Sequence, residues 1–268
     1  MAGINSLGGI NNYSWLFASN NQKKNSVAQL WNAYGSFQSN ATSALSGLTE
    51  INSNLKSVLA SYDDAKGAFN SELKETMSDL STSAAKLKDY NFSVEQEGAI
   101  TTNTSTDKDG NVTKTTTYSK DLQAALDTVK NFVDDYNSAI KFFGDNSSLS
   151  KRVEQMATTF GDAGYRANLY ESIGLTVGSN GSLSINEAKL ADTIVNDPKK
   201  VSAILGKDGL AGKAESHISF ANSQADKLFP TAKEMLGDQL DTATLYTGKA
   251  YRNMTALSNM GNLINMMF

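Results

Sequence analysis

Ser26-Val27-Ala28-Gln29-Leu30-Trp31-Asn32-Ala33-Tyr34 opens a stretch, ending at Leu87, in which an apolar side chain returns mostly every three or four residues. The positions are Val27, Leu30, Tyr34, Phe37, Ala41, Ala44, Leu48, Ile51, Leu55, Val58, Tyr62, Phe69, Leu73, Thr76, Leu80 and Leu87. Steps that alternate between three and four are the seven-residue repeat of a helix facing partner helices in a left-handed supercoil. About 60 residues of helix span roughly 90 Å, far beyond the ~11–12 residues of an average helix. Gly35, Gly47 and Gly67 each weaken the helix by about 1 kcal/mol relative to Ala. One of them is a candidate break, so the stretch reads as one long helix or two.

Outward from this stretch, Asp89-Tyr90-Asn91 ends the helical period and Phe92-Ser93-Val94 opens a different texture. Ile100 to Thr106 and Val112 to Tyr118 are rich in Thr, which favours strands. Asp107-Lys108-Asp109-Gly110-Asn111 between them is a turn signal, because Gly and Asn accept positive φ. Asn91 to Tyr118 therefore reads as a β-hairpin. The same Asp-x-Asp-Gly-Asn string hints at a calcium loop, but Tyr118 stands where an EF-hand needs its glutamate and no helices flank it. The turn is the stronger reading.

Ser119-Lys120-Asp121 caps the next helix, whose apolar face is Leu122, Ala125, Leu126, Val129, Phe132, Val133, Tyr136, Ile140 and Phe143. Gly144-Asp145-Asn146 ends it, and Ser150 to Phe160 forms a shorter helix. Leu175-Thr176-Val177 and Leu183-Ser184-Ile185 flank Gly178-Ser179-Asn180-Gly181 as a tight hairpin. Asn186-Glu187 starts a helix through Val195. Asp197-Pro198 starts another, with Asp as cap and Pro in the first turn, and Val201, Ile204 and Leu205 facing inward. A helical period resumes at Leu210 and is marked loosely by Ala214, Ile218, Ala221, Leu228, Met235, Leu240, Leu245, Tyr251, Leu257 and Leu263, with Pro230 as a kink or interruption.

The fold class that follows is mainly α with small β-hairpins (α+β). Long N- and C-terminal helices form an elongated rod in a coiled-coil-like bundle, and a compact helical and hairpin middle is attached to it. The expected divisions are 1–25, 26–90 (N-terminal rod segment), 91–118 (hairpin insertion), 119–206 (compact region) and 207–268 (C-terminal rod segment with an apolar tail).

Composition narrows the function. The 268 residues carry 24 basic and 28 acidic side chains, a net charge of -4, one His and no Cys. The acidic balance argues against a nucleic-acid partner. Without Cys there are no disulfides, thiolate nucleophiles or cysteine zinc sites, and a single histidine excludes a His-pair metal motif. Charged residues are 19% of the chain, while Asn, Ser and Thr together make up roughly three-tenths. Met1 to Asn25 is rich in Asn, Gly and Ser and should be disordered in the free protein. It lacks a basic head followed by an apolar run, and no stretch of about 18 apolar residues appears anywhere, so neither a secretory signal nor membrane insertion is expected. His217 lies on an expected helix with no local nucleophile motif, and a half-buried or exposed helix residue is the stronger reading. Asp63-Asp64 and Asp134-Asp135 are sequence neighbours, about 100° apart on a helix, and do not converge as a catalytic pair would. Gly178 to Gly181 lacks the Lys of a phosphate loop. No enzyme and no cofactor is expected. The mostly apolar end, Leu263-Ile264-Asn265-Met266-Met267-Phe268, needs a partner or a groove.

Several strings between Leu122 and Gly212 carry a family likeness. They are Phe132-Val133-Asp134-Asp135-Tyr136-Asn137, Ser172-Ile173-Gly174-Leu175-Thr176, Gly181-Ser182-Leu183-Ser184-Ile185-Asn186-Glu187-Ala188-Lys189-Leu190 and Asp197-Pro198-Lys199-Lys200-Val201, followed by Gly209-Leu210-Ala211. In order and spacing this segment resembles the C-terminal region of the flagellar filament cap family, also called flagellar hook-associated protein two. Tyr251-Arg252-Asn253-Met254-Thr255-Ala256-Leu257 resembles that family's last helix. The chain departs from the family in lacking a Gly-Leu-Asp-type N-terminal motif, and in carrying only the 91–118 hairpin where the family carries large variable domains. It is similar to a miniature, divergent member.

The resemblance implies an extracellular structural subunit of the bacterial flagellum. Such a subunit is exported through the flagellar type III channel by a disordered leader, here 1–25, and assembles at the filament tip, where it guides flagellin into place. Implied partners are further copies of the chain (a homo-oligomer), flagellin or hook-filament junction proteins, and an export chaperone. The family places subunit contacts in the rod and its flexible ends, which here points to Trp15, Leu16, Phe17, Leu257, Leu263, Ile264, Met267 and Phe268. The alternative is a surface adhesin or secretion-apparatus binding module that uses the Thr-rich hairpin for recognition.

Overall fold

A computed structural model describes residues 48–106 and 112–236. The expectations for the leader, Gly35, Gly47, the 107–111 turn and the C-terminal segment beyond Leu236 lie outside the described residues. So do the outer parts of the expected rod, 26–47 and 237–268. The described chain divides into two units, one holding the residues up to Ser71 and from Phe229 onward, the other Glu72–Leu228. Helix α1 (Leu48–Lys88) contributes its first part to one and its last part to the other, and it continues through Gly67 without a break.

In the first unit, Tyr62, Ala65 and Phe69 are buried at helical spacing on α1. Phe229 meets Tyr62 edge-on, with ring centroids 5.6 Å apart, and Phe69 at 5.4 Å. The Tyr62 hydroxyl donates to the Pro230 carbonyl at 3.0 Å. Pro230 separates two helices as expected, since it has no N–H to donate. Helix α8 (Ala232–Leu236) then starts on a capping box: the Thr231 Oγ1 accepts from the Glu234 N–H, and the Glu234 carboxylate accepts from the Thr231 N–H at 2.7 Å.

In the second unit, Leu73, Met77, Leu80, Ala84 and Leu87 of α1 are buried. The core position is Met77, and Thr76 is only half-buried, so the seven-residue repeat persists with one substitution in the list. After α1, residues 91–99 are irregular, with Phe92 buried, and the strands begin only at β1 (Ile100–Thr106), paired with β2 (Val112–Tyr118). The reason is that Phe92 and Ala99 sink into the core, which removes this segment from the ladder.

Helix α2 (Lys120–Asp145) begins on Ser119, whose hydroxyl accepts from the Leu122 N–H. Every residue of its expected apolar face is buried, together with Ala139 and Phe142. Helix α3 (Lys151–Phe160) starts on Ser150, which accepts from the Val153 N–H and donates to the Leu228 carbonyl at 2.8 Å. Phe143 and Phe160 pack 4.9 Å apart, and the Tyr136 hydroxyl donates to the Phe160 carbonyl at 2.6 Å. A 3-10 turn, Gly161–Arg166, and a short helix α4 (Ala167–Glu171) follow. Neither is legible in the sequence, because Gly161 and Gly164 break any apolar period there.

Strands β3 (Leu175–Val177) and β4 (Leu183–Ile185) pair antiparallel, with Leu175 opposite Ile185 and Val177 opposite Leu183. Asn137 on α2 holds this hairpin: its amide donates to the Leu183 carbonyl at 2.8 Å and accepts from the Leu183 N–H at 2.7 Å. Gly181 adopts φ +86°, and a Cβ there would stand 2.3 Å from the Gly161 carbonyl oxygen, so only glycine fits. Helices α5 (Glu187–Asn196) and α6 (Pro198–Leu205) begin on Asn186 and Asp197, each side chain accepting from the N–H three residues on. Val201, Ile204 and Leu205 face inward as expected, as do Leu210, Ala214, Ile218, Ala221 and Leu228 of α7 (Leu210–Leu228).

Replacing Asn137 by Ala strands both backbone groups of Leu183 and is expected to destabilise the chain by about 2 kcal/mol, given ~1–3 kcal/mol for each unsatisfied group that is well buried. Gly181→Ala is expected to lower stability at least as much. Urea denaturation followed by circular dichroism reads both; an unchanged midpoint for Asn137→Ala would contradict the clamp.

Candidate interaction surfaces

All eight residues expected to form the assembly interface, Trp15, Leu16, Phe17, Leu257, Leu263, Ile264, Met267 and Phe268, lie outside the described residues. What the second unit presents is three other features: an interior polar cluster, an open groove and an exposed ribbon.

The cluster joins the turn after α3 to α7. Lys213 and His217 stand one helical turn apart on α7, hence on one face. The Lys213 Nζ lies 2.7 Å from the Asp162 Oδ2, and the His217 Nε2 lies 3.6 Å from the same oxygen. The His217 ring meets Phe160 edge-on at 5.4 Å. Both His217 Nδ1 and Asp162 Oδ1 are buried without a hydrogen-bond partner among the described residues. Burial pushes the His217 pKa below its usual value; Lys213 pushes the same way, and Asp162 opposes. The same burial raises the Tyr136 and Tyr170 hydroxyls. The arrangement is a half-buried imidazole, its pKa held below the usual value, packed between Phe160 and the Asp162 carboxylate. The half-buried reading of His217 holds. Its partner Asp162 carries no sequence signal, being far away in the chain on the turn that the sequence does not reveal.

The paired carboxylates do not converge. Asp134 is exposed, while Asp135 is half-buried beside α1. Burial raises the Asp135 pKa, the Ser83 hydroxyl pulls it back, and Asp79 and Asp134 raise it further. Among the described residues no group of three or more His, Cys, Asp or Glu side chains stands ready to hold a metal ion, and no helix is long and apolar enough to cross a membrane.

The groove, about 940 Å³, lies between the end of α2, α3 and the β3–β4 turn. Asn137, Lys141, Asp145, Thr158 and Asn180 line it, and Tyr165 stands at its side, 89% exposed. Asn137 is already committed to Leu183, and Lys141 pairs with Asp145 at 2.5 Å, so the groove's strongest polar groups have partners within the chain. The ribbon is the β1–β2 hairpin. Residues 101–105 and 112–117 are all exposed, and Val112 shows 60% of its surface.

The polar cluster is an internal tie, and the outward surfaces carry hydroxyls and amides without converging chemistry. Residues 143–261 match the family model described as Flagellar hook-associated protein 2 C-terminus. Over this region the chain is similar to the C-terminal part of the flagellar hook-associated protein 2 family. No curated protein and no solved structure gives a match. The hook-associated match takes in α3, the 3-10 turn, both strands β3 and β4, and α4 through α8. It therefore contains the Gly181–Gly161 approach and the Asp162 cluster, while Asn137 lies just before it. The hook-associated protein 2 family is one of structural flagellar proteins, not of enzymes.

A histidine whose pKa is depressed on folding contributes stability that is complete above the unfolded value near 6.5 and is lost as pH falls below it, because the unfolded chain binds the proton more readily. Stability is expected to fall between about pH 7.5 and pH 5 in the wild type. In His217→Phe, which keeps a ring against Phe160 and removes the titration, this decline should shrink. Thermal unfolding across that range decides; parallel profiles for the two proteins would exclude the cluster as the source.

Proposed function

We propose that this chain is a cap-like structural subunit of the bacterial flagellum. It is exported through the flagellar type III route, assembles with copies of itself at the filament tip and assists the incorporation of flagellin. The observation that carries this reading is the match of residues 143–261 to the hook-associated protein 2 C-terminus. The absence of Cys supports it, since no cross-link can oppose unfolding for passage through a narrow channel.

The action is mechanical. The compact unit presents a rigid body, and the two chain ends make the contacts that depend on assembly. Trp15, Leu16 and Phe17 near one end, and Leu257, Leu263, Ile264, Met267 and Phe268 near the other, are the large apolar side chains that need cover. They are the proposed assembly interface, with further copies, flagellin and hook-filament junction proteins as partners, and an export chaperone covering them before secretion.

The exposure of residues 101–105 and 112–117 favours a second reading, a surface adhesin that recognises its ligand through the hairpin. Deleting Asn259 to Phe268 separates the two. Binding of purified protein to filament ends, followed by electron microscopy, is expected to disappear while the circular dichroism of the compact region persists. Wild-type end-binding by the truncated chain would sink the cap reading. Replacing Ile100 to Val112 by a short turn is expected to leave end-binding intact.

A further inference from the structure

The β1–β2 ribbon is ordered without a core. Its two seven-residue strands pair in unbroken register from Ile100–Tyr118 to Thr106–Val112, with no bulge and no proline. Among the described residues no third strand lies beside either one. Two-stranded ribbons with no buried face are marginal in water, because ordering the backbone costs about 1–2 kcal/mol per residue. Such a ribbon gains stability when a further strand is added.

The register says which backbone groups are open. The Ser119 N–H donates to the Ala99 carbonyl at 2.9 Å, so this pair is hydrogen-bonded across the ribbon. Hydrogen-bonded pairs alternate, which places Thr101–Thr117, Asn103–Thr115 and Ser105–Thr113 in the same class. The N–H and C=O groups of Ile100, Thr102, Thr104 and Thr106 therefore point away from β2, and those of Val112, Lys114 and Thr116 point away from β1. The two edges differ in charge. Lys114 sits in the middle of the β2 edge, where a lysine discourages strand pairing. The β1 edge, Ile-Thr-Thr-Asn-Thr-Ser-Thr, has no charge at all.

That edge is also complementary to itself. If a second β1 lies antiparallel about a two-fold axis at Asn103, Thr102 faces Thr104 of the other copy and Thr101 faces Ser105. The outward groups of Thr102 and Thr104 then meet as hydrogen-bonded pairs. Asn103 faces its own counterpart in the closer, non-hydrogen-bonded position, where Cα atoms stand about 4.5 Å apart. Thr–Thr and Thr–Ser pairs directly opposite each other are favourable, and no like charges are opposed.

We propose that the β1 edge is a homotypic docking site, at which two copies of this chain join their ribbons into one four-stranded antiparallel sheet. The inference rests on the hairpin alone and stands apart from the flagellar reading, whose interface lies at the chain ends.

The chain has no cysteine, so a single introduced one reports on a single contact. Asn103→Cys in the full-length protein puts two thiols at a cross-strand distance suited to a disulfide. Thr115→Cys is also exposed and on the same face, but on the guarded strand. Under mild oxidation at micromolar concentration, Asn103→Cys is expected to yield at least about tenfold more covalent dimer on a non-reducing gel than Thr115→Cys. The double variant Asn103→Cys, Thr115→Cys checks that the hairpin is formed, because those two residues face each other within one ribbon and should close an intrachain disulfide. Closure of that intrachain bond, combined with no dimer from Asn103→Cys alone, overturns the proposal and leaves the edge to a different chain. Equal dimer yields from the two single variants overturn it as well, since they mark random collision.

Discussion

The amide of Asn137 takes up both hydrogen-bonding groups of Leu183, and much of the compact unit is arranged around that clamp. A one-residue register shift of β4 would turn the N–H and C=O that now face Asn137 to the other side of the strand and leave its amide without them. With Leu183 fixed, Val177 opposite it is fixed, and the turn between them is forced against the Gly161 carbonyl, where only a residue without Cβ fits. At the other end of the hairpin, Gly174 takes φ +95° and accepts from the Asn186 N–H, which sets the start of α5. One side-chain amide thus aligns α2, the small sheet and the helix that follows it.

Electrostatics plays a narrow part. Surface ion pairs such as Lys141–Asp145 contribute little, because water screens them. The Asp162 carboxylate is different, since it pairs with Lys213 of α7 at 2.7 Å across to the turn after α3, with His217 beside it. Burial of the His217 imidazole makes this tie sensitive to protonation, whereas the aromatic contact of Phe160 with Phe143 is not. The cluster orients α7 on a core whose stability comes mainly from buried apolar area.

The two hairpins show how one local signal leads to two fates. Both consist of β-forming residues on either side of a sequence stretch that contains Gly and Asn. In β3–β4, Leu175 and Leu183 are buried, so the ribbon is part of the core. In β1–β2, threonine replaces the aliphatic residues, the described side chains from 101 to 105 and 112 to 117 stay in solvent, and the ribbon keeps open edges. Threonine is a strand former that supplies shape and hydroxyls without the apolar area that drives burial. A ribbon so made is better suited to meeting another backbone than to stabilising its own unit.

Local chemistry determined most of the elements. Ser119, Ser150, Asn186 and Asp197 stop and start helices because their side chains satisfy the first free N–H groups, and these caps are legible as residue types. The apolar faces of α2, α6 and α7 follow from helical spacing and are buried as read. The 3-10 turn at Gly161 and the helix after it were not legible, because glycine erases periodicity and their conformation is set by what they touch. Tertiary structure alone decided the Asn137–Leu183 clamp and the Asp162 partner of His217. Each depends on two segments distant in sequence, and a chain's periodicity records which face a residue occupies but not which residue it will find there.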